Sequence, residues 1–362
     1  MKNILITLII LTKVFAWGGD GHRIIGGNSV YFFNESILQY KSWYNYLYNH
    51  SPDPDNRKNN DPYEGPKHYI DLDKIPEFNQ YGYLITKNLD SLKLKYNYTN
   101  NQIDDIGILP WAILSTYDSL VNCFKRNDIT KAQFFAADIS HYIADAHMPL
   151  HLTKNYDGQY TNQQGIHSRY ESNMISQYKN QINFIFFATH KINDIRNYTF
   201  EYIFNNFSYI DSVLNADNYA KSIDPYYGTN YYNALWNKTK NFTTLLWNKA
   251  SQRIAEYIFS AYSESLSSIE NQIVVEDFKL LPPYPNPFNP KINFTILTKL
   301  PQNITFEIYN LQGQYIETVY KGQIQSGYNN IVYNGQNLAS GIYIYKIHSK
   351  NQINSGKIVL LK

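Results

Sequence analysis

The chain has 362 residues, 43% of them hydrophobic, which is long enough for one large or two ordinary domains with a sizeable core. Its mean hydropathy of −0.46 excludes a polytopic membrane protein. A formal net charge of +2 does not indicate a surface that coats nucleic acid. The single cysteine, Cys123, excludes an intramolecular disulfide and a zinc site built from cysteine pairs. Any bound metal is therefore held by histidine and carboxylate side chains.

Residues 1–16 have the layout of a secretory signal peptide. Lys2 precedes an apolar run at 4–11, and Ala16 stands before the expected cleavage point. The apolar run is too short to anchor the chain across a bilayer. We expect cleavage after Ala16, which makes Trp17 the amino terminus of a protein that is exported through the periplasm and is secreted or held at the cell surface.

Two patterns of apolar residues divide the rest of the chain. Up to about Ser268 they recur at helical spacing, and after a proline-rich segment at 281–290 they alternate with polar residues at the period of β-strands. The sequence therefore predicts an all-α domain at 17–272, a linker at 273–283 and a small all-β module at 284–362.

Histidine and carboxylate residues in the helical part have spacings suited to a metal site. His141 and Asp145 lie four residues apart, as do His167 and Glu171, so each pair projects from one helix face. Further candidates are His22, His68, His151 and either Asp53 or Asp55. Neutral imidazole and carboxylate suit zinc when thiolates are absent. One such pair is more often a simple hydrogen bond, but the set together, with a free amine on Trp17, indicates up to three metals.

These residues resemble the superfamily of zinc-dependent phospholipases C and single-strand-specific nucleases of the mung-bean and fungal type. The resemblance covers roughly residues 17–268 and rests on Trp17…His22, Asp53, His68, His141-x-x-x-Asp145, His151 and His167-x-x-x-Glu171. It implies an all-α domain with a trinuclear zinc cluster at the base of a cleft. Such enzymes hydrolyse phosphodiesters and leave a phosphomonoester.

The resemblance also implies ligands for each of three Zn²⁺ ions. The first would bind Asp53, His68, His141 and Asp145; the second His151, His167 and Glu171; the third the amino nitrogen and carbonyl oxygen of Trp17, with His22 and Asp145. Asp53 is implied to be both ligand and water-activating base, because it lies fifteen residues before His68, a nuclease-like spacing. Asp55 is the alternative.

Two further residues are implied to contact the substrate. Arg57 would help to neutralise the phosphate, although it lies one residue further from Asp53 than the nuclease pattern has it. Tyr69 stands where the nucleases place an aromatic ring that stacks on a base, a contact worth about 1–3 kcal/mol per base. The alternative for Tyr69 is a core aromatic residue.

The two branches of the superfamily indicate different substrates. The spacing from Trp17 to His22 matches the nucleases, whereas glutamate at position 171 is usual in the phospholipases. The leading prediction is a monomeric endonuclease that acts on single-stranded DNA or RNA and leaves 5′-phosphates. A phospholipase C that acts on phospholipids is the runner-up. A non-catalytic secreted adhesin with structural histidine clusters is a distant alternative.

The β module has a family resemblance of its own. YPNPFNP at 284–290, IYNLQGQYI at 308–316, NLASGIYIYKI at 337–347 and the terminal KIVLLK resemble the C-terminal sorting domain of Bacteroidetes-type bacteria. The resemblance implies an immunoglobulin-like sandwich that the type IX secretion machinery recognises and that is then usually removed. The alternative is a β-sandwich binding module that stays attached.

The near-neutral charge divides unevenly along the chain. From Lys279 onward there are eight lysines and two glutamates, or +6. Residues 17–278 hold 22 basic and 28 acidic residues, or −6. Three Zn²⁺ ions would add +6, so attraction of a phosphate is expected to come chiefly from the metals.

Overall fold

The computed structural model describes residues 17–82, 84–272, 278–350 and 352–362. The chain forms two compact units, of which the first ends at Ser268 and the second begins at Ile269. The first unit is helical and the second is built of β-strands, so the predicted order of an all-α and then an all-β part is confirmed. The predicted signal peptide lies outside the described residues, as do residues 273–277 of the predicted linker.

Helices and loops make up the described part of the chain up to Gln272. The α-helices are α1 (Gly18–Asn28), α2 (Tyr44–His50), α3 (Asp53–Arg57), α4 (Pro76–Tyr81), α5 (Leu89–Tyr96), α6 (Asn100–Ile106), α7 (Leu109–Lys125), α8 (Ile129–Asp145), α9 (Ile166–Ser168), α10 (Ile175–Tyr178), α11 (Ile195–Phe207), α12 (Ile210–Ile223) and α13 (Thr229–Gln272). Short 3₁₀ helices lie at Ser29–Phe32, Glu35–Trp43, Gly65–His68, Leu72–Lys74, Pro149–Leu152 and Lys179–Gln181, and a π-helix lies at Arg169–Met174. Among the described residues, none of these helices combines the length and apolar character that a membrane span needs.

Helix α8 carries the central part of the candidate site into the interior. The carboxylate of Asp128 accepts a hydrogen bond from the N–H of Lys131 at 3.1 Å and so caps its amino terminus. Every residue from 136 to 145 is buried, so the second half of the helix is covered on all sides. The helix ends at Asp145, and the chain turns into the 3₁₀ helix that begins at Pro149.

Helix α1 packs closely against α2 and the segment that follows it. A Cβ atom at Gly26 would lie 2.1 Å from Oγ of Ser51, so only glycine allows this approach. The close packing matters for the site because the carbonyl of Ser51 accepts a hydrogen bond from His141 of α8.

The second unit consists of two antiparallel sheets with a shared core. Its strands are β1 (Lys279–Leu280), β2 (Lys291–Thr298), β3 (Gln302–Tyr309), β4 (Tyr315–Ile324), β5 (Gly327–Asn334), β6 (Gly341–His348) and β7 (Ile353–Leu360). One sheet has the order β1-β2-β5 and the other β4-β3-β6-β7. Phe294 of β2 contacts Phe306 of β3, with ring centroids 4.5 Å apart, so the sheets pack face to face. The alternating apolar residues predicted from the sequence supply most of this core.

Candidate metal centre

Buried histidine and carboxylate side chains from separate segments converge inside the helical unit. They form three groups, of which two share His141, and in each group the ligand atoms lie within 4.8 Å of one another. The groups are His22, Asp55 and His141; His68, His141 and Asp145; and His151, His167 and Glu171. Each group could hold a metal ion.

Asp145 lies at the centre of this cluster. Its Oδ2 is 3.0 Å from Nδ1 of His68 and 3.2 Å from Nε2 of His141. Its Oδ1 is 3.3 Å from Nε2 of His22, whose ring stacks on that of His141 with centroids 3.8 Å apart. Because its two oxygens face different histidines, Asp145 has the geometry of a carboxylate that bridges two metal ions.

The third group surrounds Glu171. Its Oε2 lies 3.0 Å from Nε2 of His167 and 3.7 Å from Nε2 of His151. Glu171 belongs to the π-helix Arg169–Met174, a rare local structure that is frequent at functional sites. The same oxygen accepts a hydrogen bond from the backbone nitrogen of Trp17 at 3.1 Å, which places that nitrogen beside the cluster.

Trp17 is held in this place by its side chain. The indole is fully buried, and its Nε1 donates to the carbonyl of Ala144 at 2.8 Å, next to Asp145. The ring also packs against Tyr170 and Trp247, with centroids 5.7 and 5.6 Å away. The predicted amino-terminal residue is therefore anchored by contacts to three parts of the helical unit.

The orientation of the histidines fits a bound cation. His141 and His151 each donate Nδ1–H to a backbone carbonyl, that of Ser51 and that of His68, both at 2.7 Å. The Nε2 of each neutral ring then carries a lone pair, and that of His141 faces the carboxylate of Asp145. A lone pair facing a carboxylate is unfavourable unless a proton or a cation lies between them. The carbonyl contacts are also the usual means of orienting metal-binding histidines.

Burial and charge act on these groups in opposite directions. Burial raises the pKa of the Asp145 carboxyl, but the neighbouring histidines, chiefly His141, hold it well below its ordinary value. Burial also raises the pKa of Glu171, and His167 above all lowers it again. Burial lowers the pKa of His141, whereas Asp145 and Asp55 raise it above its ordinary value. Protons and a divalent cation would compete for these atoms.

The structure places Asp55, and not Asp53, among the histidines. Both lie in α3, but residues two apart on a helix point in different directions. The carboxylate of Asp55 is buried, 3.6 Å from Nδ1 of His68 and 3.7 Å from Nε2 of His141. The side chain of Asp53 is 43% exposed and contacts Nδ1 of His50 at 2.8 Å. Asp53 therefore lies outside the cluster, and the alternative ligand occupies the expected place.

The cation that faces the cluster is Lys58 and not Arg57. Arg57 makes two hydrogen bonds to the carboxylate of Asp138, at 3.0 and 2.8 Å. Lys58 lies with its Nζ 2.7 Å from Oδ1 of Asp55. The sequence held a signal for Lys58, because it follows Asp55 by the three residues that the nuclease pattern puts between ligand and cation.

Glu64 is a further residue of the site that sequence reasoning missed. It is buried, and its Oε1 lies 3.6 Å from Nε2 of His68, an atom with no hydrogen-bonding partner among the described residues. The Tyr142 hydroxyl donates to the same oxygen of Glu64, and Lys67 donates to the other at 2.8 Å. Glu64 is therefore held where it favours the His68 orientation that presents Nδ1 to Asp145.

A cavity of about 470 Å³ opens beside the metal centre. Its wall includes His68, His151, His167, Lys58, Lys74, Asp71, Asp105, Leu150, Tyr69 and Tyr156. The ring of Tyr69 reaches this cavity, and its hydroxyl donates to the carbonyl of Asp104 at 2.8 Å. Burial raises the pKa of Tyr69 to about 12 and that of Asp71 to about 6.

The remaining histidines lie outside the cluster. His147 is buried, but its Nδ1 donates to the carbonyl of Ile143 and its Nε2 lies 3.2 Å from Arg253. His50 contacts Asp53, and His348 of the second unit lies near Glu307. Cys123 is buried, as its place on an apolar helix face predicts.

Comparison with known proteins identifies the C-terminal part of the chain. Residues 283–361 match the family described as secretion system C-terminal sorting domain. The chain is therefore exported by type IX secretion and is secreted or held at the cell surface. No curated protein matches the sequence.

Two solved structures resemble the chain along nearly its whole length. The alpha-toxin of Clostridium perfringens from an avian strain is 13% identical, with a TM-score of 0.44, over 95% of this chain and 98% of the toxin. The alpha toxin of Clostridium absonum is 13% identical, with a TM-score of 0.43, over 96% of this chain and 99% of the toxin. These values are too low to indicate a shared activity.

The two candidate aspartates can be separated by metal content. Asp55→Asn should lower bound zinc by about one ion per chain, because the amide replaces a charged oxygen ligand. Asp53→Asn, two residues away, should keep the zinc content of the wild type. Elemental analysis of both purified variants, with circular dichroism to verify folding, measures this difference. Equal zinc in Asp55→Asn and wild type would contradict the assignment.

Proposed function

We propose that this protein is an exported zinc-dependent phosphodiester hydrolase with a trinuclear centre. The proposal rests on three neighbouring groups of buried histidines and carboxylates, two of which share His141, beside an open cavity. Zinc bound there would supply an activated water and neutralise charge on the oxygens of a phosphodiester. The proposed ligands are Asp55, His68, His141 and Asp145 for one ion, His151, His167 and Glu171 for the second, and Trp17, His22 and Asp145 for the third.

Two residues of this chain would act on the substrate directly. Asp55, buried next to the histidines, is proposed to orient the attacking water and to hold its proton. Lys58 is proposed to neutralise the phosphate, because its ammonium reaches the cluster while Arg57 is occupied by Asp138. These roles replace those that the resemblance implies for Asp53 and Arg57.

A phospholipid is the substrate that the cavity favours. Its wall carries both charges, with Lys58 beside the metal centre and the carboxylates of Asp71 and Asp105 in the same wall. The rings of Tyr69 and Tyr156 add faces that attract an organic cation. A zwitterionic head group, with a phosphate and a quaternary ammonium, matches this mixture. A polyanionic strand matches it less well, since residues 17–278 carry a formal charge of −6.

A single-stranded nucleic acid is the second candidate substrate. The position of Tyr69 in the cavity wall favours it, because an accessible tyrosine ring can stack on any base. The spacing between Trp17 and His22 favours it as well. For this substrate the hydrolysis step would use the same ligands.

A comparison of substrates tests the proposed function. The exported protein, incubated with phosphatidylcholine, single-stranded DNA and single-stranded RNA, should release diacylglycerol and phosphocholine from the lipid. A chelator should abolish the reaction and added Zn²⁺ should restore it, and His141→Ala should be inactive. Nucleotide products without diacylglycerol would assign the second candidate. No hydrolysis of any of the three by zinc-loaded protein would contradict the proposal.

The role of Lys58 can be tested against that of Arg57. Lys58→Met should lower kcat/KM by about 10², because it removes one charged contact to the developing phosphate charge. In the zinc-loaded protein its zinc content and melting temperature should stay close to those of the wild type, because bound Zn²⁺ would still compensate the buried carboxylate of Asp55. Lys154→Met, which removes an exposed lysine elsewhere, is the matched control. Arg57→Met should chiefly lower stability, because Asp138 loses its partner. Full activity in Lys58→Met would refute the assignment.

The amino terminus provides a separate test of the metal count. A protein that keeps one residue before Trp17 has an amide in place of the α-amino group, and an amide nitrogen is a poor metal ligand. We expect zinc to fall from about three to about two ions per chain, because the third set loses its nitrogen donor. Protein cleaved to begin at Trp17 is the control. Three zinc ions in the extended protein would refute this part of the ligand assignment.

A further inference from the structure

An exposed apolar surface lies on the helical unit outside the metal centre. The extended segment at 182–193 presents three consecutive apolar side chains, Ile185, Phe186 and Phe187, which are 61%, 50% and 52% exposed. The ring of Phe186 lies 5.5 Å from that of Tyr31, itself 47% exposed. We call these four residues the aromatic surface. None of them lines the cavity at the metal centre.

The backbone that carries the aromatic surface is hydrogen-bonded to α13. The N–H of Ile185 donates to Oδ1 of Asn248 in α13 at 2.6 Å, and Nδ2 of Asn248 donates to the carbonyl of Asn183 at 2.9 Å. Further along, the N–H of Ile192 donates to Oγ of Ser260 at 2.8 Å. The backbone of the segment therefore pairs with α13. The three apolar side chains are exposed to solvent. A contiguous exposed apolar patch of this kind commonly marks an interaction site.

Lysine ammonium groups stand at the edge of the aromatic surface. Nζ of Lys249 lies 5.6 Å from the ring centroid of Phe187, and Nζ of Lys41 lies 5.5 Å from that of Tyr31. Among the described residues neither ammonium lies in an ion pair, and Nζ of Lys249 donates to Oε1 of Gln252 at 3.3 Å. Leu245, 45% exposed, lies one helical turn before Lys249 and extends the apolar area on that face.

The two stretches that carry Ile185, Phe186, Phe187, Leu245 and Lys249 contain no acidic residue. Residues 172–193 and 225–255 together hold six lysines and arginines and no aspartate or glutamate. Residues 17–278 as a whole carry a formal charge of −6. Lys179 is occupied by Asp20, and Arg253 contacts His147. The two stretches are therefore basic in an otherwise acidic unit, whereas the helix that carries Lys41 also contains Glu35.

We propose that the aromatic surface docks on an anionic lipid bilayer. Aromatic and aliphatic side chains bordered by lysines are the composition that binds at the boundary between head groups and acyl chains. The lysines would then meet anionic head groups, each adding favourable energy near the surface. A nucleic acid fits less well, because Ile185 and Leu245 offer no ring on which a base can stack. Docking does not require hydrolysis, so it stands apart from the proposed reaction.

Vesicle co-sedimentation tests this docking. The exported, zinc-loaded protein is mixed briefly in the cold with vesicles of phosphatidylcholine alone or with one quarter phosphatidylglycerol, and lipid hydrolysis is measured in the same samples. We expect binding to the anionic vesicles that weakens in high salt. The double variant F186S/F187S should bind the anionic vesicles at least about tenfold more weakly than the wild type, because it loses two apolar groups that would enter the bilayer. The variant L84S/L94S, which changes two exposed leucines elsewhere, is the matched control.

Activity on a soluble short-chain phospholipid separates this inference from the proposed function. F186S/F187S with intact hydrolysis and zinc content but weak vesicle binding would support the docking surface. Equal vesicle binding by F186S/F187S and the wild type would overturn it, as would binding to a single-stranded oligonucleotide in place of vesicles. Absence of hydrolysis in a protein that still binds vesicles through Phe186 and Phe187 would overturn only the enzymatic proposal.

Discussion

The burial of Asp145 is the constraint on which the rest of the helical unit depends. A carboxylate taken wholly out of water is costly unless charge and hydrogen-bonding partners compensate for it. Histidines from three other segments, together with His141 of α8 itself, surround this one side chain. Helix α8 carries Asp145 into the interior because its second half is buried on all sides. The groups that stabilise this charge are also those proposed to bind a metal, so the stability of the unit and its proposed chemistry depend on the same residues.

The histidine rings are oriented by groups that do not themselves face the cluster. The carbonyl of Ser51 sets the ring of His141, and the carbonyl of His68 sets that of His151. The Ser51 contact depends in turn on Gly26, whose missing side chain allows α1 to come close. A site of this kind is sensitive to substitutions of residues that do not contact the proposed ligands, because a histidine ring that shifts slightly loses its hydrogen-bonding partner.

The two units differ in formal charge as well as in architecture. The helical unit is acidic, with the buried carboxylates of Asp55, Asp145 and Glu171 among its charges, and bound cations would offset that charge. The second unit is basic, and an apolar core between its two sheets stabilises its fold. Export by the type IX route is a property of the second unit, which holds the matched sorting domain.

The sequence by itself determined the order of the two fold classes and nearly all of the proposed ligands. Apolar periods of 3.6 and 2 are local properties, and residues four apart share a helix face in any fold. It could not decide between Asp53 and Asp55, because both stand in one short helix and only the packing of that helix shows which carboxylate points inward. Lys58 was missed because its assignment depends on that choice. Glu64 was missed although it stands four residues before His68, because only its burial against Tyr142 of α8 shows that it faces the cluster. Tertiary structure decided these positions because direction and burial are set by long-range packing, which spacing along a chain does not contain.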